Sequence, residues 1–541
     1  MPLHYTLGAT QTQFSLDTDS FRVDHLGQRT VPSPLDRGVA RVRDLADGVL
    51  LDATVLLTSA SGADCTNSGT GHSVAQTSGS STGYSPELAA SREDHAVPCF
   101  LEKAGPRDQL FFDPAKSTAA IVTCGGLCPG LNNVIRAIAL CCYYRYGVRR
   151  VIGIPYGYDG MSLARPESCL RPDGTLGGVV ELTPAAVKDI HKLGGSILGS
   201  SRGRQSITDM VDFLQAHNVQ MLFTIGGDGT QKGAAAIHEE ARARGYPLSV
   251  VGVPKTIDND LLYVERSFGF DTAVELAQSA LNAAHEEARG YRNGIGLVRL
   301  MGRDSGFIAL HAALASADVN VLLLPEVTFK MEWLLDYLES RLRGRPGQDT
   351  AGCAIERPNK AWPFGDTPAD LDLVPDAPAG ASAALSSQAN CSLPHQHPIP
   401  MQPHCLIVVS EGAGQNLMSG ERERDPSGNV RHLDIGLFLK EEIAKGLDAR
   451  GIKTSIKYID PSYMIRAAPA NPNDALFCTL LAHNAVHAAL AGKTNLLIGK
   501  VNGEFVHVPI HKAVEHRRKV DVNAPQYQAY LNNSGQPFEL K

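Results

Sequence analysis

Short apolar runs punctuate this chain, and they are continuous in hydrophobicity rather than alternating. Ala119-Ala120-Ile121-Val122-Thr123, Val151-Ile152-Gly153-Ile154, Met221-Leu222-Phe223-Thr224-Ile225, Leu248-Ser249-Val250-Val251-Gly252-Val253, Ile295-Gly296-Leu297-Val298-Arg299-Leu300 and Cys405-Leu406-Ile407-Val408-Val409 are such runs. Strands buried on both faces of a parallel sheet read this way. Lys232 to Arg244 is rich in Ala, Glu and Arg, lacks proline, and is stopped by Gly245-Tyr246-Pro247, which predicts a helix between two of the runs. Strand, helix and strand make a βαβ unit over 221 to 260, and the chain as a whole is expected to be α/β with mainly parallel sheets.

The runs end in loops that carry the polar chemistry. Gly226-Gly227-Asp228-Gly229-Thr230 follows the third run, and Pro254-Lys255-Thr256-Ile257-Asp258-Asn259-Asp260 follows the fourth. In open α/β sheets ligands bind at the carboxyl ends of the strands, and glycines there let main-chain amides approach a phosphate. Two further glycine-rich turns, Gly125-Gly126 and Gly157-Tyr158-Asp159-Gly160, occupy equivalent places, and Arg202 with Gly203 closes another glycine-rich loop. Carboxylates, a lysine and an arginine beside phosphate-competent turns are what phosphoryl transfer needs. One carboxylate holds Mg²⁺, one accepts a hydroxyl proton, and cations offset phosphate charge.

The pair GGDGT and PKTIDND resembles the 6-phosphofructokinase family, in the ATP-dependent form of plants and trypanosomatids. Further similarities follow in order: TCGGLCPGLNNVIR (123 to 136), LGGSILGSSRG (193 to 203), RSFGFDTAVE (266 to 275), LMGRDSGF (300 to 307), SEGAGQ (410 to 415) and KYIDPSYMIRA (457 to 467). The resemblance covers roughly 100 to 520 and implies two Rossmann-like domains facing each other across the active site. It implies ATP-dependent phosphorylation of fructose 6-phosphate to fructose 1,6-bisphosphate in glycolysis, with Asp258 as general base and Asp260 assisting in positioning.

On the same basis Gly126, Arg202, Gly203, Gly226, Gly227, Asp228, Gly229 and Thr230 would contact ATP, with Tyr158 near the nucleotide and Asp228 holding Mg²⁺. Thr256, Ile257, Asp258, Met301, Gly302, Arg303, Glu411, Tyr463, Met464, Ile465 and Arg466 would bind the sugar phosphate. Bacterial relatives have aspartate at Leu127, a departure shared with the plant-type branch; they have histidine at Tyr463 and arginine at Lys457 and Gly294, so the cross-subunit half of the phosphate clamp departs from their pattern. Lys255 is the residue of pyrophosphate-dependent relatives and Gly229 that of ATP-dependent ones. An aspartate at 229 would place bulk and negative charge where the α-phosphate lies, so glycine decides for ATP. The alternatives are a pyrophosphate-dependent enzyme, a non-catalytic nucleotide-sensing homologue, and a lipid or NAD kinase. The last shares a GGDG turn but not the other loops.

Length and composition set the remaining frame. With 541 residues, two domains plus excess loop are expected. We divide the chain into an N-terminal extension (1–115), a nucleotide-binding domain (116–290), a sugar-phosphate-binding domain (291–520) and a tail (521–541). A flexible Ser/Gly/Thr-rich segment is expected at 59–96 and a loop insertion at 345–403, where the pair His395 and His397 lacks further metal ligands at a telling spacing. A net charge of −7 gives no sign of a nucleic-acid or membrane-surface protein. The 11 cysteines form no spaced metal quartet, and Cys124 and Cys128 are read as packing residues. Asp17 and Asp19 precede Arg22 without a signal core, and the chain ends Glu539-Leu540-Lys541, so a cytoplasmic protein is expected. Relatives are commonly tetramers, which makes a homo-oligomer the expectation.

Overall fold

A computed structural model describes residues 3–7, 10–14, 21–35, 41–42, 48–50, 100–162, 178–343, 403–423 and 430–540. The 59–96 and 345–402 segments lie outside the described residues. Two sheets dominate. The first contains β1 (Thr118–Thr123), β2 (Arg150–Ile154), β3 (Val180–Glu181), β4 (Met221–Gly226) and β5 (Ser249–Pro254). The second contains β6 (Gly294–Leu300), β7 (Val321–Leu323), β8 (His404–Ser410) and β9 (Ser455–Ile459). Two later strands, β10 (Leu496–Val501) and β11 (Glu504–Pro509), return to the first sheet. Its order is β3-β2-β1-β4-β5-β10-β11, and that of the second is β7-β8-β6-β9.

The apolar runs became strands because both faces are covered. Every residue of β1, β4 and β5 is buried, and β4 pairs in parallel with β1 and β5 in a register that aligns their carboxyl ends: Ile225 lies opposite Thr123, and Gly226 opposite Pro254. The chain moves from β1 outward to β2 and later to β4 on the other side, so β1 and β4 diverge at the point where such sheets bind ligands. The second sheet is parallel throughout, with β6 at its centre beside β8 and β9.

Helix Phe270–Arg289 lies against β6, where a side chain on Gly296 would come within 2.6 Å of the Ala284 carbonyl. A single apolar core runs from Ile121, Phe223 and Val251 of the first sheet through Ala277 and Leu281 to Val298, Leu300 and Leu406 of the second. The loops at the strands' carboxyl ends are therefore held by one continuous packed body.

The domain limits drawn from sequence differ from this sheet membership. Helix Pro472–Leu490 packs on the first-sheet side, and β10 pairs with β5, so the chain from 472 to 509 rejoins the first unit instead of completing the second. The cause is geometric: the free side of β5 needed a partner, and the apolar run 496–501 supplies it. The 521–541 tail is also docked. Tyr527 and Tyr530 of helix Pro525–Ser534 are buried, and Gln536 bonds the main chain of Leu322. Parts of the N-terminal extension pair with the body as well, Asp24–His25 with Lys493–Thr494 and Gly48–Leu50 with Phe100–Glu102. Among the described residues no helix is long and apolar enough to cross a membrane.

Candidate active site

The carboxyl edge of the first sheet brings three loops together. Cys124 N donates to Ile225 O at 3.0 Å, and Lys255 N to Gly226 O at 3.0 Å, so the turns after β1, β4 and β5 lie side by side. Gly226 must be glycine, because a Cβ there would sit 2.1 Å from Thr230 Oγ1. Helix Asp228–Ala243 starts at this turn with Gly227 as N-cap and no side-chain cap hydrogen bond from it, an arrangement that can receive an anion. Nothing lies within 4 Å of a Cβ built on Gly229, so the space above the helix start is open. Tyr158 is buried beneath the loop, its hydroxyl donating to Thr230 O at 2.7 Å, so it supports this turn from below.

Cations line the same edge. A Cβ on Gly126 would come within 3.2 Å of Arg202 Nη2, which puts the guanidinium over the first glycine turn, while Gly203 takes the left-handed φ of +115° that glycine tolerates. Lys255 is buried, donates from Nζ to Gly126 O at 2.7 Å, and has its pKa lowered, chiefly by burial. Cys124 and Cys128, nearby, are free and buried, with thiols pushed up to about 12 by that burial, and they pack.

The carboxylate loop after β5 turns back on itself through Asn259, at φ +56°, whose Oδ1 accepts from Ser267 N at 2.8 Å. Thr256 Oγ1 donates to Asp260 Oδ1. Ile257 points into the apolar core, so only its main chain faces the cleft. Asp258 Oδ1 is shielded from solvent with no hydrogen-bond partner. Burial first, then the negative charges of Asp260 and Glu411, push its pKa up to about 7, against the pull of Arg466 and the main chain of Arg303. Asp228 likewise keeps Oδ1 buried and unpartnered, while Oδ2 is 3.1 Å from Lys232 Nζ.

The second sheet faces this loop with its own strand ends. Gly302, at φ +130°, carries the chain between Met301 and Arg303 where a Cβ would lie 2.5 Å from Ser305 O. Arg303 bonds the Val430 carbonyl, and Glu411 N donates to Leu300 O at 2.9 Å. Arg466 Nε contacts Met301 Sδ at 3.3 Å. Met301, Arg303, Glu411 and Arg466 are thus collected around Asp258. Ile465 is buried in the core, whereas Tyr463 and Met464 project outward, 82% and 78% exposed, and do not join the cluster within one chain. Lys457 is engaged elsewhere, over the Tyr291 ring at 4.2 Å and 3.7 Å from Glu287. Gly294 has no room for arginine, since even a Cβ would lie 2.0 Å from Ala288 O.

Two charged residues at the site escaped the sequence reading. Arg517, from the segment after β11, reaches Asp304 at 2.8 Å, Asp260 at 3.1 Å and Asp228 at 4.0 Å. Arg299 ties Glu411 (3.5 Å) to Asp434 (3.0 Å) and Asp460 (3.3 Å). The basic run 516–519 signalled charge but no partner. Among the described residues no group of three or more His, Cys, Asp and Glu is arranged to hold a metal unaided. Two concavities of about 330 and 420 Å³ lie elsewhere, one beside Arg136 and His191, the other beside Arg29 and Lys493.

Comparison with known proteins shows which family the chain resembles. The family model for phosphofructokinase matches residues 118–355. An ATP-dependent 6-phosphofructokinase of Borreliella burgdorferi is 43% identical over 82% of this chain and 86% of its own length. ATP-dependent 6-phosphofructokinase 1 of Arabidopsis thaliana is 40% identical over 82% of this chain and 80% of its own, and the Trypanosoma brucei brucei enzyme 41% over 79% and 74%. Among solved structures, a pyrophosphate-dependent phosphofructokinase from Marinobacter aquaeolei superposes with a TM-score of 0.54 at 19% identity, covering 77% of this chain and 91% of that one, which speaks to the fold alone.

Proposed function

This chain belongs to the phosphofructokinase family, and from that premise we propose that it is an ATP-dependent 6-phosphofructokinase, transferring the γ-phosphoryl group of ATP to the 1-hydroxyl of fructose 6-phosphate. The observation that carries the reading is Asp258. It is a shielded carboxylate with an unpartnered oxygen and a pKa raised to about 7, set where the loops of the two sheets meet. A base with such a pKa is matched to proton abstraction near neutral pH.

The transfer would run as follows. The 1-hydroxyl oxygen bonds to the γ-phosphorus as the bond from phosphorus to the β,γ-bridging oxygen breaks, ADP leaves with that electron pair, and the hydroxyl proton passes to Asp258. The open helix start at Gly227 to Thr230 would receive ATP phosphates, and Arg202 and Lys255 would balance their charge. Met301, Gly302, Arg303, Glu411 and Arg466 would hold the sugar phosphate opposite. The unpartnered Asp228 Oδ1 suits Mg²⁺, which is bound by one or two carboxylates together with substrate phosphates rather than by an all-protein cage. Held there by Asp228, Mg²⁺ would offset the negative charge of the phosphates.

The open space at Gly229 supports ATP as donor over pyrophosphate. The exposed Tyr463 and Met464 support a working homo-oligomer in which a second copy covers them. The decisive experiment is a screen of phosphate acceptors with ATP and Mg²⁺, resolving products by phosphorus NMR. Fructose 6-phosphate should turn over well ahead of other sugar phosphates, lipids and NAD. Preferential phosphorylation of a lipid or NAD, or no acceptor at all, would overturn the proposal.

A further inference from the structure

Arg517 is the one guanidinium among the described residues that lies within 4.0 Å of Asp228, Asp260 and Asp304 together. These carboxylates come from three separate segments: the helix start after β4, the loop after β5, and the turn after β6. Arg517 Nη1 reaches both Asp260 and Asp304, while Nη2 faces Asp228. Its main chain is fixed by neighbours, since Leu261 bridges to Arg517 and Arg518 N donates to Asp260 O at 2.8 Å. The side chain is about one-third exposed, so a ligand entering the cleft can displace it without breaking the core.

Three like charges gathered at one place repel, and a cation among them offsets that repulsion. We propose that Arg517 is a built-in counter-cation for Asp228, Asp260 and Asp304. It holds the three carboxylates together while the site lacks a divalent cation, and it yields Asp228 when one arrives. Arg517 is thus a positioning residue that acts through the carboxylates. The proposal deepens the assignment of Asp228 as the Mg²⁺ carboxylate and rests on it. Its consequence is a competition: the guanidinium weakens binding of free divalent cation to the unloaded protein, while keeping the carboxylates in place for the nucleotide complex.

Mn²⁺ alone, without nucleotide, tests this by the loss of its free electron paramagnetic resonance signal on titration with the full chain. Arg517→Met should bind Mn²⁺ more tightly than the parent, by about 3–10-fold at low ionic strength, because three carboxylates lose a neighbouring cation. Arg517→Lys should restore the parent affinity closely. Turnover in Arg517→Met should fall, and its melting temperature, lowered by the uncompensated carboxylates, should recover when Mn²⁺ is added. A purely structural arginine would lower stability and leave Mn²⁺ affinity unchanged or weaker, and that result overturns the proposal, as does the absence of saturable Mn²⁺ binding to Arg517→Met. Asp228→Asn separates the two claims. If it leaves Mn²⁺ affinity intact, the metal assignment fails on its own; if it abolishes the tightening seen in Arg517→Met, both stand.

Discussion

Replacing Asp258 by asparagine keeps the side chain's size and removes its capacity to accept a proton. If Asp258 is the base, kcat should fall by about 10²- to 10⁴-fold with a nearly unchanged KM for fructose 6-phosphate, since a proton acceptor acts in the transition state. The structure adds a second, independent signature. The folded-state pKa of about 7 exceeds the ordinary aspartate value, so the unfolded chain loses this proton first as pH rises. The cost to folding is therefore absent in acid, grows between the ordinary value and 7, and is constant above it. About three units of difference correspond to at most about 4 kcal/mol at pH 8. Burying the asparagine amide takes back about 1–3 kcal/mol of that relief. Asp258→Asn should thus melt a few degrees higher than the parent at pH 8, and this advantage should shrink towards pH 5. Coupled ADP-release kinetics and thermal melts at both pH values read the two effects. An enzyme of near-parental kcat, or one that loses stability at pH 8 while gaining it in acid, would refute the reasoning.

Other substitutions probe the neighbouring loops. Gly229→Asp fills the open space above the helix start with charge and should raise the KM for ATP by about 10-fold or more at little cost in stability; unaltered ATP kinetics would count against a nucleotide at this position. Gly226→Ala forces a Cβ against Thr230 and should destabilise the chain by about 1–3 kcal/mol, and an unshifted urea midpoint would show that the turn has slack. Glu411→Gln, opposite Asp258, should raise the KM for fructose 6-phosphate by about 10-fold with a smaller change in kcat. Equal losses in kcat and kcat/KM would instead place Glu411 in the chemical step.

How much of this was legible in the chain differs by element. The parallel strands were readable because burial on both faces makes an apolar run unbroken, as in β4 and β5. The glycine turns were readable because their conformations exclude side chains, as at Gly226 and Gly302. The return of β10 to the first sheet was not readable. A run such as Leu496–Val501 fits either sheet, and only the vacant side of β5 selects one. Arg517 and Arg299 escaped for a related reason: each earns its place by partners distant in sequence, and no local spacing records them. Tyr463 and Met464 show the reverse case, where a motif was visible but its side chains project outward, exposed, away from the cluster around Asp258.

The account turns on ATP as phosphoryl donor to fructose 6-phosphate. Purified protein should be given saturating fructose 6-phosphate and Mg²⁺, with ATP in one reaction and pyrophosphate in the other, and fructose 1,6-bisphosphate measured in both. The account predicts turnover with ATP and none above background with pyrophosphate. A pyrophosphate rate equal to or above the ATP rate would contradict it.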